Sequence, residues 1–446
     1  MDRSKADNAV ALGKVGPSRH VRRPGVMLCL GLLAAAGFAS SLALAPRLLR
    51  SEGAESAGRP DWDRLAECRF VPEYDRRLNK VLISVRANGA SLALHHELLM
   101  RLPEYTQVIL LMPAGYLSAI EAELKGKPYA DRIRIAAYDP DVQPNLLFYY
   151  VFPDKDRLVE VSVGPRPAAR RLDSVWAQDL LEVTTGPNGR PVLLVPPVHK
   201  YFSGVAANRD DRLESDNACL QVLSAEQLEL QRVPVAFRGG NVLVDRINGR
   251  RVVFIGSDTF RTARAASQAF GRQELTESEI IACLKRALNA DLVVVMGRSG
   301  PQPEHIFHLD QAMMLLHGGV AVVARIVGGA PDAPEQATKL ADARDFLSEA
   351  RSRLRELGYR VVDLATSAQD VLQFRHRINA IPYVDAETGQ RTVLMPVFPS
   401  GQGGSDERLA ERNSQTLRSL GCRVVRVPTQ AHNLHGGIHC LVNVLE

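Results

Sequence analysis

Four residues with chemically useful side chains stand in apolar surroundings: Asp179, His308, Asp310 and Cys440. Cys440 is a candidate nucleophile, and His308 is a candidate proton donor and acceptor. Carboxylates beside a cysteine raise the pKa of its thiol, which works against formation of the thiolate. Such a combination is useful when the substrate is itself a cation. A planar guanidinium fits, because carboxylates can grip its nitrogens bidentately and its charge favours the thiolate.

Each of these residues also has an ordinary structural explanation. Asp179 could cap a helix, and Cys440, which follows a Gly-Gly pair at the start of a β-rich run, could be a small buried residue. His308 and Asp310 share one face if their segment is extended. If Cys440 lies on a strand, its neighbour His439 points to the opposite face. We therefore prefer His308 as the base.

The elements that must position these residues alternate between strand and helix patterns, which predicts an α/β fold. A turn rich in Gly or Asn repeatedly precedes a short strand pair, and a helix and another strand follow. Examples are "GGNVLVDRINGRRVVFIGSD" and "YVDAETGQRTVLMPVFPS". This recurrence predicts several ββαβ units. Thr276 and Glu279 form a capping box at the start of one helix, and another helix is predicted over about 333–357. The chain has neither a GxGxxG nor a GxxxxGK[ST] motif, which disfavours nucleotide-binding classes.

The order Asp, His-x-Asp and a Cys in a "GGIHC" setting near the C-terminus resembles the guanidino-modifying pentein enzymes. These are arginine, agmatine and peptidylarginine deiminases, dimethylarginine hydrolases and amidinotransferases. The resemblance covers the chain from about residue 78 onward and implies a propeller of five ββαβ units around a pseudo-fivefold axis. It also implies that Asp179 and Asp310 bind the guanidinium, that Cys440 attacks its carbon to give a covalent thiouronium intermediate, and that His308 transfers protons.

Two branches of this superfamily are similar to the chain. "WAQDLLE" and "HCLVN" match the W-x-Q-D-x-x-E and H-C-x-x-N runs of calcium-dependent protein-arginine deiminases. "LTESEIIACLKRALNADLVVVMG" followed by "FHLD" is similar to agmatine-type and bacterial peptidylarginine deiminases, and "GGNVLVD" matches both. The resemblance implies substrate contacts for Trp176 and Asn241. Arg238 stands where many members carry an acidic residue, which disfavours the small substrates agmatine and arginine.

Calcium is the one metal that the resemblance raises. Gln178 and Glu182 match metal ligands of the calcium-dependent pattern and are the candidate ligands here. Leu180 and Leu243 stand where that pattern has acidic residues. Because calcium prefers six to eight oxygen ligands rich in carboxylate, we expect chemistry that requires no cofactor.

The N-terminal part of the chain predicts export. Residues 26–45 carry no charge and follow a basic stretch, which indicates a signal peptide or membrane anchor over residues 1–45. Residues 46–61 are predicted to be a linker, and residues 62–446 the catalytic domain. We expect a secreted or periplasmic protein that contacts the membrane only through its N-terminal segment.

The overall composition excludes some partners. The 446-residue chain has a formal charge of only +5 with scattered basic residues, which argues against a nucleic-acid binder. Five cysteines lie beyond the apolar segment, so at least one is unpaired in a monomer. Pairing among four of them stays open: Cys68, Cys219, Cys283 and Cys422.

The sequence thus predicts an exported hydrolase that converts arginine in a peptide or protein to citrulline and ammonia. One alternative is an agmatine deiminase or an amidinotransferase acting on a small guanidino compound. A second is a pentein-fold binding protein without turnover. A papain-like protease is disfavoured, because the Q-x-C-G-x-C-W run that holds its cysteine is absent.

Overall fold

The computed structural model describes most of the chain from Asp61 onward. The described ranges are 61–85, 91–138, 147–154, 157–163, 175–196, 228–233, 235–269, 275–298, 302–328, 333–398 and 405–446, together with Leu223 and Glu226. The segment predicted as a signal peptide or anchor lies outside the described residues, as does the predicted linker except Asp61. Within the part that is described, no helix is both long and apolar enough to cross a bilayer.

Short strands dominate the structure. They are β1 (Lys80–Ser84), β2 (Gln107–Pro113), β3 (Ile133–Tyr138), β4 (Leu147–Asp154), β5 (Arg157–Val163), β6 (Glu182–Thr185), β7 (Pro191–Val195), β8 (Glu229–Arg232), β9 (Val242–Ile247), β10 (Arg250–Gly256), β11 (Leu292–Met296), β12 (Met313–Leu316), β13 (Val320–Val327), β14 (Arg360–Ser367), β15 (Ile381–Val384), β16 (Arg391–Val397), β17 (Arg423–Pro428) and β18 (Val442–Val444).

Nine α-helices accompany these strands in the described ranges. They are α1 (Trp62–Glu67), α2 (His96–Leu99), α3 (Leu117–Leu124), α4 (Asp258–Ala269), α5 (Glu277–Ala287), α6 (Pro334–Glu356), α7 (Ala368–Leu372), α8 (Ser405–Ser419) and α9 (Ile438–Leu441). The capping box predicted at Thr276 is present at the start of α5. The helix predicted over about 333–357 is α6.

One strand pattern is repeated five times. In each repeat an antiparallel pair is extended by a parallel strand, as in β6-β7-β8, β9-β10-β11, β12-β13-β14 and β15-β16-β17. Parallel neighbours require a crossover connection, and helices such as α6 and α8 supply it. The repeats confirm the ββαβ units predicted from the glycine-rich turns. The hairpin β4-β5 forms a separate two-stranded sheet.

The fifth repeat joins the two ends of the described chain. β18 pairs antiparallel with β1, and β1 pairs parallel with β2, so the sheet order is β18-β1-β2-β3. Val81 faces Val444, and Ile83 faces Val442. The last strand therefore supplies the first position of a unit whose other strands come from the start of the described region. This closure brings Cys440, two residues before β18, back among the other repeats.

Buried apolar side chains pack the strands onto their helices. β13 reads VAVVARIV and is buried over its first five residues, where it packs on α6 through Leu340, Ala343 and Leu347. Such continuous apolar runs are typical of strands covered on both faces. Because the strands are occupied by apolar side chains, the polar functional residues are carried by the turns between them.

Candidate active site

The predicted catalytic residues all lie in the short turn that precedes the first strand of a repeat. Asp179 belongs to the 3-10 turn Ala177–Leu180, one residue before the turn's end and shortly ahead of β6. Its backbone N–H donates to the Trp176 carbonyl at 3.2 Å. Gly239, in the equivalent turn before β9, packs so closely on this segment that a Cβ there would lie 1.9 Å from the Gln178 carbonyl oxygen. The two turns are thus in direct backbone contact.

His308 and Asp310 belong to the turn that precedes β12. The turn is the 3-10 helix Leu309–Gln311, with His308 as its N-cap. The Gln311 carboxamide oxygen accepts the backbone N–H of Phe307 at 3.1 Å and of His308 at 3.3 Å. The two side chains would share one face if this segment were extended. His308 does have an extended backbone, but the 3-10 helix begins directly after it, so a turn carries the pair. Both side chains still lie at the site.

Cys440 lies on a helical turn and not on a strand, so the condition under which His439 would point away from it is not met. Helix α9 covers Ile438–Leu441, and β18 begins directly after it. Successive residues of a helix are about 100° apart, so His439 and Cys440 need not point in opposite directions. Both contact the same carboxylate oxygen, Asp310 Oδ2, at 2.9 Å from His439 Nδ1 and 3.4 Å from Cys440 Sγ. The expectation that His439 faces away from the site is therefore wrong.

Three of the four predicted residues surround Gly240, and the fourth, Cys440, lies beside two of them. A Cβ built on Gly240 would lie 2.8 Å from His308 Nδ1 and 3.1 Å from one carboxylate oxygen each of Asp179 and Asp310. One ring nitrogen of His308, one carboxylate oxygen of Asp310 and the Cys440 sulfur lie within 4.8 Å of one another. Glycine at this position therefore keeps the centre of the site open.

The site is buried. The exposed fractions are 1 % for Asp179 and His308 and 3 % for Asp310 and Cys440. Asp179 Oδ1 accepts the backbone N–H of Gly240 at 3.3 Å and lies 3.6 Å from His308 Nδ1. Asp310 Oδ1 has no hydrogen-bond partner among the described residues. A buried acceptor of this kind is costly unless a ligand satisfies it.

The surroundings of Cys440 favour the neutral thiol over the thiolate. Burial raises the pKa of Cys440 well above its usual value, and the carboxylates of Asp310 and Asp179 raise it further. The Gly437 N–H and the Asn379 amide act in the opposite direction. A cation bound between the carboxylates would offset their effect on the thiol pKa.

Asn379 is a site residue that the sequence analysis missed. It lies two residues before β15 in the fourth repeat, as Cys440 lies two residues before β18, and Asp179 and Asp310 lie three residues before β6 and β12. Its Nδ2 donates to Cys440 Sγ at 3.2 Å, and its Oδ1 accepts the backbone N–H of His439 at 3.0 Å. The signal that could have found it was the repeat itself, since a polar residue precedes the strand in each unit.

The two residues predicted to touch substrate have protein partners. The Trp176 ring packs against Gly436, where a Cβ would lie 2.5 Å from it. The Asn241 amide exchanges two hydrogen bonds with Gln302, at 2.9 and 3.0 Å, and also accepts the Leu309 N–H at 3.2 Å. Asn241 therefore fixes the turn that carries Asp310. Contact of either residue with substrate stays a prediction.

The predicted calcium ligands fit a calcium site poorly. Gln178 and Glu182 are both buried. Burial raises the pKa of Glu182 to about 8, and Arg76 already supplies a positive charge near it. In the described ranges, Glu182 belongs to no group of three or more His, Cys, Asp or Glu side chains whose ligand atoms are close enough together to hold a metal ion. Because calcium requires several ionised carboxylates, we derive no chemistry through a metal at this position.

The cysteines found in the described ranges are all free. Cys68, Cys283, Cys422 and Cys440 are buried and form no disulfide. Burial raises the pKa of Cys68, Cys283 and Cys422, which suits structural thiols. Cys219 lies outside the described residues. Of the described cysteines, only Cys440 contacts carboxylate and amide side chains of several repeats.

Residues 152–444 match the model of one protein family, the Porphyromonas-type peptidyl-arginine deiminases. The chain belongs to this family. Members of this deiminase family are hydrolases that act on the C–N bonds of amidines, so the chain is an enzyme of that class. The resemblance inferred from the motifs is thereby confirmed.

Solved structures of this deiminase class show the same fold. A Porphyromonas gingivalis protein assigned as an arginine deiminase is 13% identical over 84% of this chain and 97% of its own, with a TM-score of 0.55. The agmatine deiminase of Enterococcus faecalis is 13% identical over 87% of this chain and 97% of its own, with a TM-score of 0.54. The five repeats are those of a pentein fold. No match was found among curated proteins.

Proposed function

We propose that this deiminase converts arginine, held within a peptide or protein, to citrulline and ammonia. The observation that carries the proposal is the convergence of two carboxylates, an imidazole and a thiol. Atoms of the first three lie 2.8–3.1 Å from the position of a Cβ built on Gly240, and the thiol lies within 4.8 Å of His308 and Asp310. Two carboxylate oxygens can fix a planar guanidinium with charge-assisted hydrogen bonds. Such positioning places the guanidinium carbon against Cys440 Sγ.

The reaction divides into two steps. In the first, the Cys440 thiolate forms a C–S bond with the guanidinium carbon, His308 donates a proton, and the C–N bond breaks to release ammonia. In the second, His308 takes a proton from water, the water oxygen bonds to the carbon, and the C–S bond breaks. Cys440 is regenerated and the ureido product leaves. Asp179 and Asp310 hold the substrate throughout.

Charge near the site favours peptidyl arginine over agmatine. Arg238 lies two residues before Gly240, and its positive charge acts on Asp258, as does that of His308. Agmatine carries an ammonium as well as a guanidinium, so it meets an additional repulsion there. An arginine inside a peptide has no second cation. A small-guanidine deiminase is the second candidate, which the fold shared with the Enterococcus faecalis enzyme supports.

Product analysis tests the proposal. The enzyme is incubated with an arginine-containing peptide, free arginine and agmatine, with and without calcium, and ureido product is measured by a colour reaction. We expect the highest kcat/KM with the peptide, no effect of calcium, and no product with Cys440→Ala. A higher kcat/KM with agmatine would replace the peptidyl assignment with the small-guanidine one. An amidinotransferase would instead transfer the amidino group to added glycine or ornithine.

Export is a second part of the proposal. The uncharged segment 26–45 after a basic stretch supports a signal peptide or anchor. The full chain expressed in a bacterial host should fractionate outside the cytosol. Placing charges in the segment, with Leu33→Arg and Ala36→Arg, should retain it in the cytosol. Equal distribution of both forms would contradict export.

A further inference from the structure

Glu73 and His439 are ionisable residues beside the site to which the reaction above gives no role. Glu73 lies in the 3-10 turn Glu73–Asp75, which precedes β1, and its side chain is 16% exposed. His439 is buried next to the nucleophile on α9. The two come from opposite ends of the described chain and meet because β18 pairs with β1.

The imidazole of His439 lies between two carboxylates. Its Nε2 is 3.0 Å from both oxygens of Glu73, and its Nδ1 is 2.9 Å from Asp310 Oδ2. Ionised carboxylates only accept hydrogen bonds, so both ring nitrogens must donate, which requires the imidazolium form. Burial lowers the pKa of His439, but Glu73 and Asp310 outweigh it, and the pKa lies well above its usual value.

The same arrangement keeps Glu73 ionised. Burial raises the pKa of its carboxyl, but His439 and Arg76 lower it below the usual value. Two further ionisable residues lie near the pair. Arg76 interacts with Glu73 and Glu182, and Glu182 interacts with both Glu73 and His439. Since burial raises the pKa of Glu182 to about 8, that carboxyl is mostly neutral at pH 7.

The two carboxylate oxygens of Asp310 have different surroundings. Oδ2 accepts from His439 Nδ1 and from Cys440 Sγ, which fixes the rotation of the carboxylate. Oδ1 is buried and has no hydrogen-bond partner among the described residues. Oδ2 also faces the space over Gly240, because a Cβ on that glycine would lie 3.1 Å from it. The carboxylate that the imidazole holds is therefore the one that lies against the space for the substrate cation, and its Oδ1 keeps its full capacity to accept a hydrogen bond.

We propose that Glu73 and His439 are a positioning pair, which holds Asp310 through Oδ2 so that the Asp310 carboxylate orients the substrate cation in front of Cys440 Sγ. This inference rests on the proposed function, because it assigns how one of its two guanidinium-binding carboxylates is held. Neither residue touches the reacting atoms. Their effect is on the selectivity of the site for a flat cation.

The test uses two alkylating reagents of equal size on the full chain. The reagents are 2-chloroacetamidine, a planar cation, and 2-chloroacetamide, its neutral counterpart. In either case the Cys440 sulfur forms a bond to the CH₂ carbon and chloride leaves. Peptide mass mapping gives the alkylation rate at Cys440 separately from the other buried cysteines. The ratio of the two rates, divided by the ratio measured for a free thiol, reports cation selectivity without turnover.

We expect a high ratio for the wild type and a loss of about 10-fold or more in Glu73→Gln and in His439→Gln. Glu229→Gln is the matched control, because it removes a carboxylate from an ion pair with Arg64 that is remote from the site. This control should keep the wild-type ratio. Glu73→Gln should also shift the alkaline limb of kcat/KM to lower pH, because the imidazole loses the carboxylate that keeps it protonated.

Failure of this inference differs from failure of the proposed function. If both variants fold, as judged by their thermal unfolding, and keep the wild-type ratio, the positioning pair is refuted even if the enzyme makes citrulline. His439→Asn serves as a second substitution if His439→Gln does not fold. If the wild type makes no ureido product but its high ratio falls in the variants, the proposed function is refuted and the pair stands.

Discussion

Asn379 donates a hydrogen bond from its amide nitrogen to Cys440 Sγ at 3.2 Å, while its carbonyl oxygen accepts the backbone N–H of Cys440 at 3.3 Å. One side chain thus fixes both the position of the nucleophile's backbone and the surroundings of its sulfur. A donor to the sulfur favours the thiolate over the thiol, and Asn379 does lower the Cys440 pKa.

The first prediction concerns this contact. Asn379→Leu keeps the approximate volume but removes both hydrogen bonds, so we expect kcat to fall about 10- to 100-fold. Steady-state kinetics on an arginine peptide measures it, with thermal unfolding to verify the fold. Wild-type kcat in a folded variant would show that the amide does not act on the nucleophile.

A second prediction concerns the open centre of the site. Gly240→Ala places a methyl group 2.8–3.1 Å from His308 and the two carboxylates, in the space that the guanidinium would occupy. Activity should fall below about 1% of wild type, since near-attack geometry is lost. Gly115→Ala is the control, because nothing lies within 4 Å of its Cβ. Equal activities of the two variants would contradict the assigned location of the substrate.

The raised pKa of Cys440 gives a third prediction, on pH dependence. Because the pKa of the Cys440 thiol is raised well above its usual value, the thiol form dominates at neutral pH and the thiolate fraction of the free enzyme rises about tenfold per pH unit from pH 7 upward. Alkylation of Cys440 by the neutral reagent iodoacetamide should rise in the same proportion, as measured by peptide mass mapping. In Asp310→Asn the rate at pH 7 should be higher, because one carboxylate that raises the pKa is gone. A rate independent of pH would mean that the thiolate is already formed without substrate.

A fourth prediction addresses substrate choice. Arg238→Glu reverses a charge near the site, so the kcat/KM ratio of agmatine over an arginine peptide should rise about tenfold or more. Kinetics with both substrates measures it. Arg190→Glu makes the same charge change in the exposed turn between β6 and β7 and should leave the ratio unchanged. If the ratio does not rise in Arg238→Glu, Arg238 does not discriminate against the dication.

The sequence was most informative about the repeats and the order of the motifs. The glycine-rich turns and apolar strand runs predicted ββαβ units, and four polar residues in the order Asp, His-x-Asp, Cys predicted which turns carry chemistry. Local signals of this kind depend on neighbouring residues alone. The capping box at Thr276 is one example, since it is set within a single helical turn.

Contacts between residues that are distant in the sequence could not be predicted from these local patterns. His439 was set aside because adjacent strand residues face opposite ways, but α9 interposes one helical turn before β18. Glu73 reaches the site only because the last strand pairs with the first. Asn379 carries no reactive group of its own, and its role follows only from its distance to Cys440.

The covalent bond between Cys440 and the guanidinium carbon can be detected from the mass of acid-quenched enzyme during turnover of an arginine peptide. We expect an adduct equal to the substrate minus ammonia, located on the peptide that contains Cys440, and no adduct or product with Cys440→Ala. Citrulline formation by Cys440→Ala, or an adduct on another residue, would contradict it.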